Sequence, residues 1–176
     1  MNPTITEPWQ IENATTTDLD FIYWLFEQAI AYQKRNNYVG WNSYDKNYIQ
    51  QDVENKLQFK IVVGDTILCI FSICFKDALI WREKDKGDAI YLHRVVVNPA
   101  FKGQKMFEKV LSWITTFAKE KELKYIRMDT WTANPQIIEY YQGYGFVFLE
   151  NYTTPNTRDL PEQHRNLTVA LLEFKL

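Results

Sequence analysis

The sequence predicts an α/β (α+β) domain, a mixed sheet flanked by helices, on three observations. Runs of β-branched and aromatic residues alternate with stretches whose apolar residues recur at helical spacing. Within 58–75, the runs FKIVV and TILCIFSICF flank Gly64-Asp65, a two-residue turn with glycine first, which reads as a β-hairpin. The stretch VVVNPAFKGQKMF, residues 95–107, passes from a buried strand through Asn98-Pro99 and a basic Lys102-Gly103 turn into a helix with an apolar face.

Taken in order, Trp9 to Asn13 supplies a first strand. Thr17 and Asp18 are N-cap candidates, with Asp20 in the first turn of a helix. Phe21, Ile22, Leu25, Phe26, Ala29 and Ile30 form its apolar stripe, to about Lys34. Tyr44 to Leu57 reads as a second helix, with Asp45 near its start and Tyr48, Ile49, Val53 and Leu57 facing inward. After the hairpin, Asp85 to Asp88 is a loop, Ala89 to Val97 a strand, and Gly103 to about Lys121 a third helix. Lys124 to Thr130 is the next strand. Asn134 caps a short helix with Pro135 in its first turn, and Gly143 and Gly145 end it. Phe146 to Tyr152 and Leu167 to Phe174 are the last strands. The polar stretch Thr153 to Arg165, with Pro155 and Pro161, is a surface loop between them. The order β α α β β β α β α β β makes a mixed sheet. With no repeat, low-complexity tract or linker, residues 1–176 read as one domain.

Composition narrows the function classes. A chain of 176 residues can bury a substantial core, and 46% hydrophobic content excludes disorder. A net charge of −2 gives no electrostatic footprint for nucleic acid. No apolar run approaches the length of a membrane span, and MNPTITEPWQ lacks a basic start and an apolar h-region. The expected location is the cytoplasm. Cys69 and Cys74 lie in one apolar run at an odd spacing, which places them on opposite sides of a strand. They read as buried free thiols rather than a disulfide or a metal site.

The strand–turn–helix at residues 95–107 is an anion site. The first N–H groups of a helix lack intrahelical partners, and the helix dipole favours negative charge there, so a phosphate-bearing ligand is expected.

The order of elements and two motifs resemble the GNAT N-acetyltransferase superfamily. LHRVVVNPAFKGQKMFEKVL, residues 92–111, is similar to the strand, pyrophosphate loop and helix that bind acetyl-CoA in that family. DTWTANPQIIEYYQGYGF, residues 129–146, is similar to its next strand and helix, with the family's Asn, Tyr and terminal Gly-Phe. The resemblance implies a GNAT-like, mostly antiparallel central sheet with helices on both faces, and acetyl-CoA as acyl donor. It implies that the cofactor meets Val95, Val96 and Val97 on the strand, then Lys102, Gly103, Gln104, Lys105, Met106 and Phe107 in the loop, and also Asn134 and Tyr141. The family's loop has the form Arg/Gln-x-x-Gly-x-Gly/Ala. Here Lys102 keeps the basic position, while Lys105 and Phe107 replace both later glycine-type positions, where glycine lets backbone approach a pyrophosphate.

The resemblance also places Tyr141 as the general acid, since a phenol of pKa about 10 can protonate a departing thiolate. The base stays open among His93, Asp129 and Glu83. An imidazole near pKa 6.5 suits proton removal, and on a regular strand His93 shares the side of Val95 and Val97, a parity that a β-bulge reverses. Arg94 is expected to point away or to bind an acidic substrate group, and His164 to be exposed. Tyr38, Trp41, Tyr44, Trp81 and Trp131 fall on acceptor-side segments of the family and suit a slot for an apolar or cationic acceptor. The sequence thus reads as an N-acetyltransferase of a small-molecule primary amine, acting by direct transfer in a ternary complex. It is expected as a monomer or homodimer with no nucleic-acid or membrane partner. The altered loop keeps a non-catalytic CoA or small-ligand sensor as the alternative.

Overall fold

The computed structural model describes residues 8–176. The reading of the N-terminal segment as free of a signal peptide rests largely on residues 1–7, outside the described residues. The strands are β1 Gln10–Asn13, β2 Gln58–Val63, β3 Thr66–Cys74, β4 Ala89–Val97, β5 Tyr125–Trp131, β6 Val147–Thr153 and β7 Thr168–Lys175. The helices are α1 Leu19–Arg35, α2 Lys46–Glu54, α3 Ala78–Trp81, α4 Met106–Glu120 and α5 Pro135–Gln142. Among the described residues, the strands form one sheet in the order β1-β2-β3-β4-β5-β7-β6. Every neighbouring pair is antiparallel except β4 and β5, which run parallel.

Alternation along the strands sorts the core into two faces. On one face, Ile90 and Leu92 of β4 and Ile126 and Met128 of β5 pack with Val110, Ile114 and Ala118 of α4. On the other, Ile22, Leu25 and Phe26 of α1 and Ile49 and Val53 of α2 pack over Val62, Ile70 and Val96. Farther along that second face, Trp81 and Leu160 cover Tyr91, Val169 and Leu171. No helix among the described residues is long and apolar enough to cross a membrane.

The differences from the sequence reading have local causes. The second helix starts at Lys46, because Asp45 is its N-cap and accepts from the Tyr48 N–H at 3.1 Å. The third starts at Met106 rather than Gly103, because Gly103 (φ +82°) and Lys105 (φ +54°) both take left-handed backbone that a helix cannot hold. The last two strands start one residue later than read, at Val147 and Thr168. The short α3 had no periodicity to announce it. The stretch 153–165 is not wholly a surface loop: Thr154, Leu160 and Pro161 are buried, and Leu160 seals the core around Trp81. Cys69 and Cys74 are free and pack with opposite faces, although Cys74 is only half-buried.

Candidate active site

The site begins where the sheet splits. β4 and β5 pair only from Ala89↔Tyr125 to Tyr91↔Arg127 and then diverge. Beyond that point β4 is paired on its β3 side, through Val96 and Val97, and turns its other edge to a gap. A cavity of about 550 Å³ occupies the gap. Its walls include residues 92–97 of β4 and 128–131 of β5, with Asn134 and Tyr141 from α5, Trp41 from the α1–α2 connection and His164 from the loop before β7.

A β-bulge sets which groups face which side. Ile70 pairs with Val96 and Ser72 with His93, so β4 spends one more residue than β3 across this step. Arg94 carries the extra residue at φ +52°. Leu92, Val95 and Val97 therefore all pack toward α4, while Val96 faces α1 and α2. His93 does not share the side of Val95 and Val97, as a regular strand would have it. It stands on the opposite face, with Tyr91.

There His93 lies between two carboxylates. Its Nε2 is 3.3 Å from Asp77 Oδ2 and its Nδ1 is 3.6 Å from Asp129 Oδ1. Both oxygens are buried without a hydrogen-bond partner among the described residues, and the Asp129 side chain is only 10% exposed. Burial raises the Asp129 carboxyl to about 6; the His93 charge opposes this and the Asp77 charge adds to it. Burial disfavours the His93 cation, but Cys74 and Asp77 beside it outweigh that, and its pKa stands well above the usual value. His164, expected in solvent, is instead half-buried at the cavity wall. Burial and the charges of His93 and Arg94 lower it to about 3, so it stays neutral. Thr154 Oγ1 donates to its carbonyl at 2.6 Å and anchors that loop.

Arg94 also does not point away. It lines the cavity, donates to Ser72 Oγ from Nε and Nη2, and is paired with Asp52 of α2. Glu83, the third candidate base, is 70% exposed, is paired with Lys84 at 3.1 Å, and is not part of the cavity wall.

From the α4 side comes Tyr141. Its ring rests 4.9 Å from that of Phe107, and burial, with smaller contributions from Cys69 and Asp129, raises its phenol above the usual range. It is a protonated donor at neutral pH. Asn134 lines the cavity while its Oδ1 accepts from the Ile137 N–H at 3.3 Å, so it caps α5 and borders the site at once.

Of the residues expected to meet the cofactor, Val95, Val96, Val97, Lys102, Asn134 and Tyr141 line the cavity; Gly103, Gln104, Lys105, Met106 and Phe107 do not. The last five form the turn into α4 and its first two residues. Met106 and Phe107 bury their side chains, 3% and 4% exposed. Phe107 replaces a glycine-type position by turning into a cluster with Tyr141, Tyr144 and Phe146. Lys105 keeps the left-handed backbone expected of the glycine it replaces, and its ammonium pairs with Glu108 at 3.1 Å. Among the described residues, no side chain caps α4, whose N-terminus stays open to an anion. The free β4 edge and this helix end fit a ligand with an extended amide arm and a pyrophosphate.

Sequence reasoning missed Asp77, His164 and Tyr32. Tyr32 lines the cavity and takes a hydrogen bond from Lys102 Nζ, tying α1 to the loop. The apolar anchors Leu160 and Leu167 flanking His164 were the available signal that its loop folds inward. Among the acceptor-side aromatics, Trp41 and Trp131 meet edge-to-face at 5.6 Å in the cavity wall, and Tyr38 joins them there. Trp81 is fully buried core, and Tyr44 stacks on Phe26 and donates to Glu27.

A family model described as "Acetyltransferase (GNAT) family" matches residues 3–146. The chain belongs to the GNAT acetyltransferase family. An uncharacterized N-acetyltransferase, YesJ, of Bacillus subtilis (strain 168) is 30% identical over 73 residues, which is 42% of this chain and 41% of that protein. This GNAT chain thus aligns with less than half of that relative's length. A GNAT-family acetyltransferase of Listeria monocytogenes 4b F2365 shares the fold with a TM-score of 0.80 at 19% identity, over 99% of this chain and 98% of the other. The putative acetyltransferase yncA of Salmonella typhimurium, whose structure includes acetyl-CoA, gives a TM-score of 0.66 at 16% identity, over 97% and 95% of the two chains.

Proposed function

We propose that this GNAT protein transfers an acetyl group from acetyl-CoA to a small primary amine, directly and in a ternary complex, in the cytoplasm. The observation that carries the reading is the split between β4 and β5. It opens one cavity onto a buried carboxylate, Asp129, from one face and a buried phenol, Tyr141, from the other.

Acetyl-CoA supplies the acetyl group as an activated thioester. The unpaired edge of β4 at Val95 and Val97 offers N–H groups to an extended arm, as an added strand would use them. Lys102 and the open N-terminus of α4 supply positive potential for the pyrophosphate. Of the three candidate bases, Asp129 is poised best. Near pKa 6 it is ionised at neutral pH yet basic enough to take a proton, a contribution of roughly 10²–10⁴ in rate. The charge of His93, 3.6 Å from that carboxylate and 3.3 Å from Asp77, favours the ionised form of Asp129. Tyr141, kept protonated, donates to the departing thiolate. Cys69 is buried and Cys74 is absent from the cavity wall, which supports direct transfer over an acyl-enzyme route. The left-handed Lys105 supports binding of acetyl-CoA, because the loop keeps a glycine-type backbone without glycine.

Thermal melts with acetyl-CoA, CoA and buffer, followed by free-thiol release over a panel of amines, test this. Acetyl-CoA at 100 times its Kd adds about 2.7 kcal/mol. Absence of any shift at millimolar acetyl-CoA rejects the reading; a shift without thiol release from any amine favours the sensor.

A further inference from the structure

The acceptor end of the cavity has a charge balance and a shape that restrict what it takes. Among the described residues, Asp129 is the only carboxylate in its wall. The nearby cations are already matched: Arg94 by Asp52, and His93 by Asp77 and Asp129. With Asp129 ionised, these five groups leave one surplus negative charge. The remaining cations of the wall, Arg35 and Lys102, stand at the end of α1 and in the loop before α4, away from β5 in the chain order.

Asp129 and Trp131 pair with Leu171 and Val169 of β7, so both side chains stand on one face of β5. A strand advances about 3.3 Å per residue, which sets the Cα atoms of Asp129 and Trp131 about 7 Å apart. Trp41 closes on Trp131 from the α1–α2 connection, centroids 5.6 Å apart and planes at 68°. Leu167 and Val169 continue the apolar wall.

Resting on the acetyl-transfer reading, we propose that the acceptor is an arylalkylamine. It is a single primary ammonium on a short stem from a flat apolar ring, the nitrogen at Asp129 and the ring against Trp131 and Trp41. A stem of roughly two or three methylenes spans the distance that the strand imposes. A polyamine brings further cations for which the wall holds no second carboxylate. A protein N-terminus needs an open channel where Trp41 and Trp131 meet. A ring against these indoles gains face and edge contacts that an alkyl chain of equal charge does not.

Calorimetric titration of the full chain with 2-phenylethylamine, n-butylamine and spermidine, with and without saturating CoA, tests this through binding alone. The expected result is 2-phenylethylamine binding about tenfold or more tighter than either rival. Trp131→Ala and Trp41→Ala, each verified as folded by its melt, are both expected to shrink that preference to less than about threefold. Equal or tighter binding of n-butylamine or spermidine overturns the proposal, as does a preference that survives both substitutions. Thiol release separates the two readings. Turnover of spermidine without 2-phenylethylamine defeats the arylalkylamine assignment alone. Tight 2-phenylethylamine binding without thiol release from any amine defeats the acetyl-transfer reading alone.

Discussion

His93 Nδ1 lies 3.6 Å from Asp129 Oδ1, joining β4 to β5 just past the point where the two strands part. The contact bears on the titration of Asp129. The His93 charge lowers the Asp129 pKa, against burial and Asp77, which raise it.

Replacing His93 by Gln removes that charge and keeps a polar side chain. The Asp129 pKa then rises above about 6. Activity that needs the ionised carboxylate loses its acid limb at a higher pH than in the native protein. A profile of kcat/KM against pH for His93→Gln is expected to shift its midpoint alkaline, with the plateau reached later.

Asp129 also predicts a stability trend. Its folded pKa, about 6, exceeds the ordinary carboxylate value of about 3.9, so the native state binds more protons in that interval. Its contribution to stability is therefore greatest below the unfolded pKa and falls as pH rises through about 6. In Asp129→Asn, stability in urea melts is expected to fall less, or rise more, from pH 4 to 6 than in the native chain.

Tyr141→Phe keeps the ring on Phe107 and removes only the proton donor. The expected loss is roughly 10²-fold in kcat with the KM for acetyl-CoA nearly unchanged, read by initial rates. An equal loss in affinity would instead mark Tyr141 as a binding residue.

Phe107→Ala empties a pocket between Tyr141, Tyr144 and Phe146. The expected cost is about 3–5 kcal/mol in urea unfolding. Glycine cannot be restored at this family position without that loss, because the ring has become core.

Much of the fold was legible because its periodicities are local. The apolar stripe of α1, the Gly64-Asp65 hairpin and the Asn134-Pro135 helix start each follow from neighbouring residues. The strand of Val95 to Val97 and Tyr141 were singled out by family resemblance, and both line the cavity. What sequence could not give was long-range. The bulge at Arg94, which turns His93 away from Val95, depends on register against β3. The pairing of His93 with Asp77 and Asp129 joins three separate elements, and the burial of His164 depends on Leu160 docking beside Trp81.

In the proposed reaction Asp129 takes the acceptor's proton at the split of β4 and β5. The most direct measurement is kcat/KM against pH for the native protein and Asp129→Asn, using an amine that the native protein acetylates. The native profile is expected to rise with a midpoint near pH 6, and Asp129→Asn to lose that step with a rate roughly 10²-fold or more lower. A variant with native rate and an unchanged profile would contradict it.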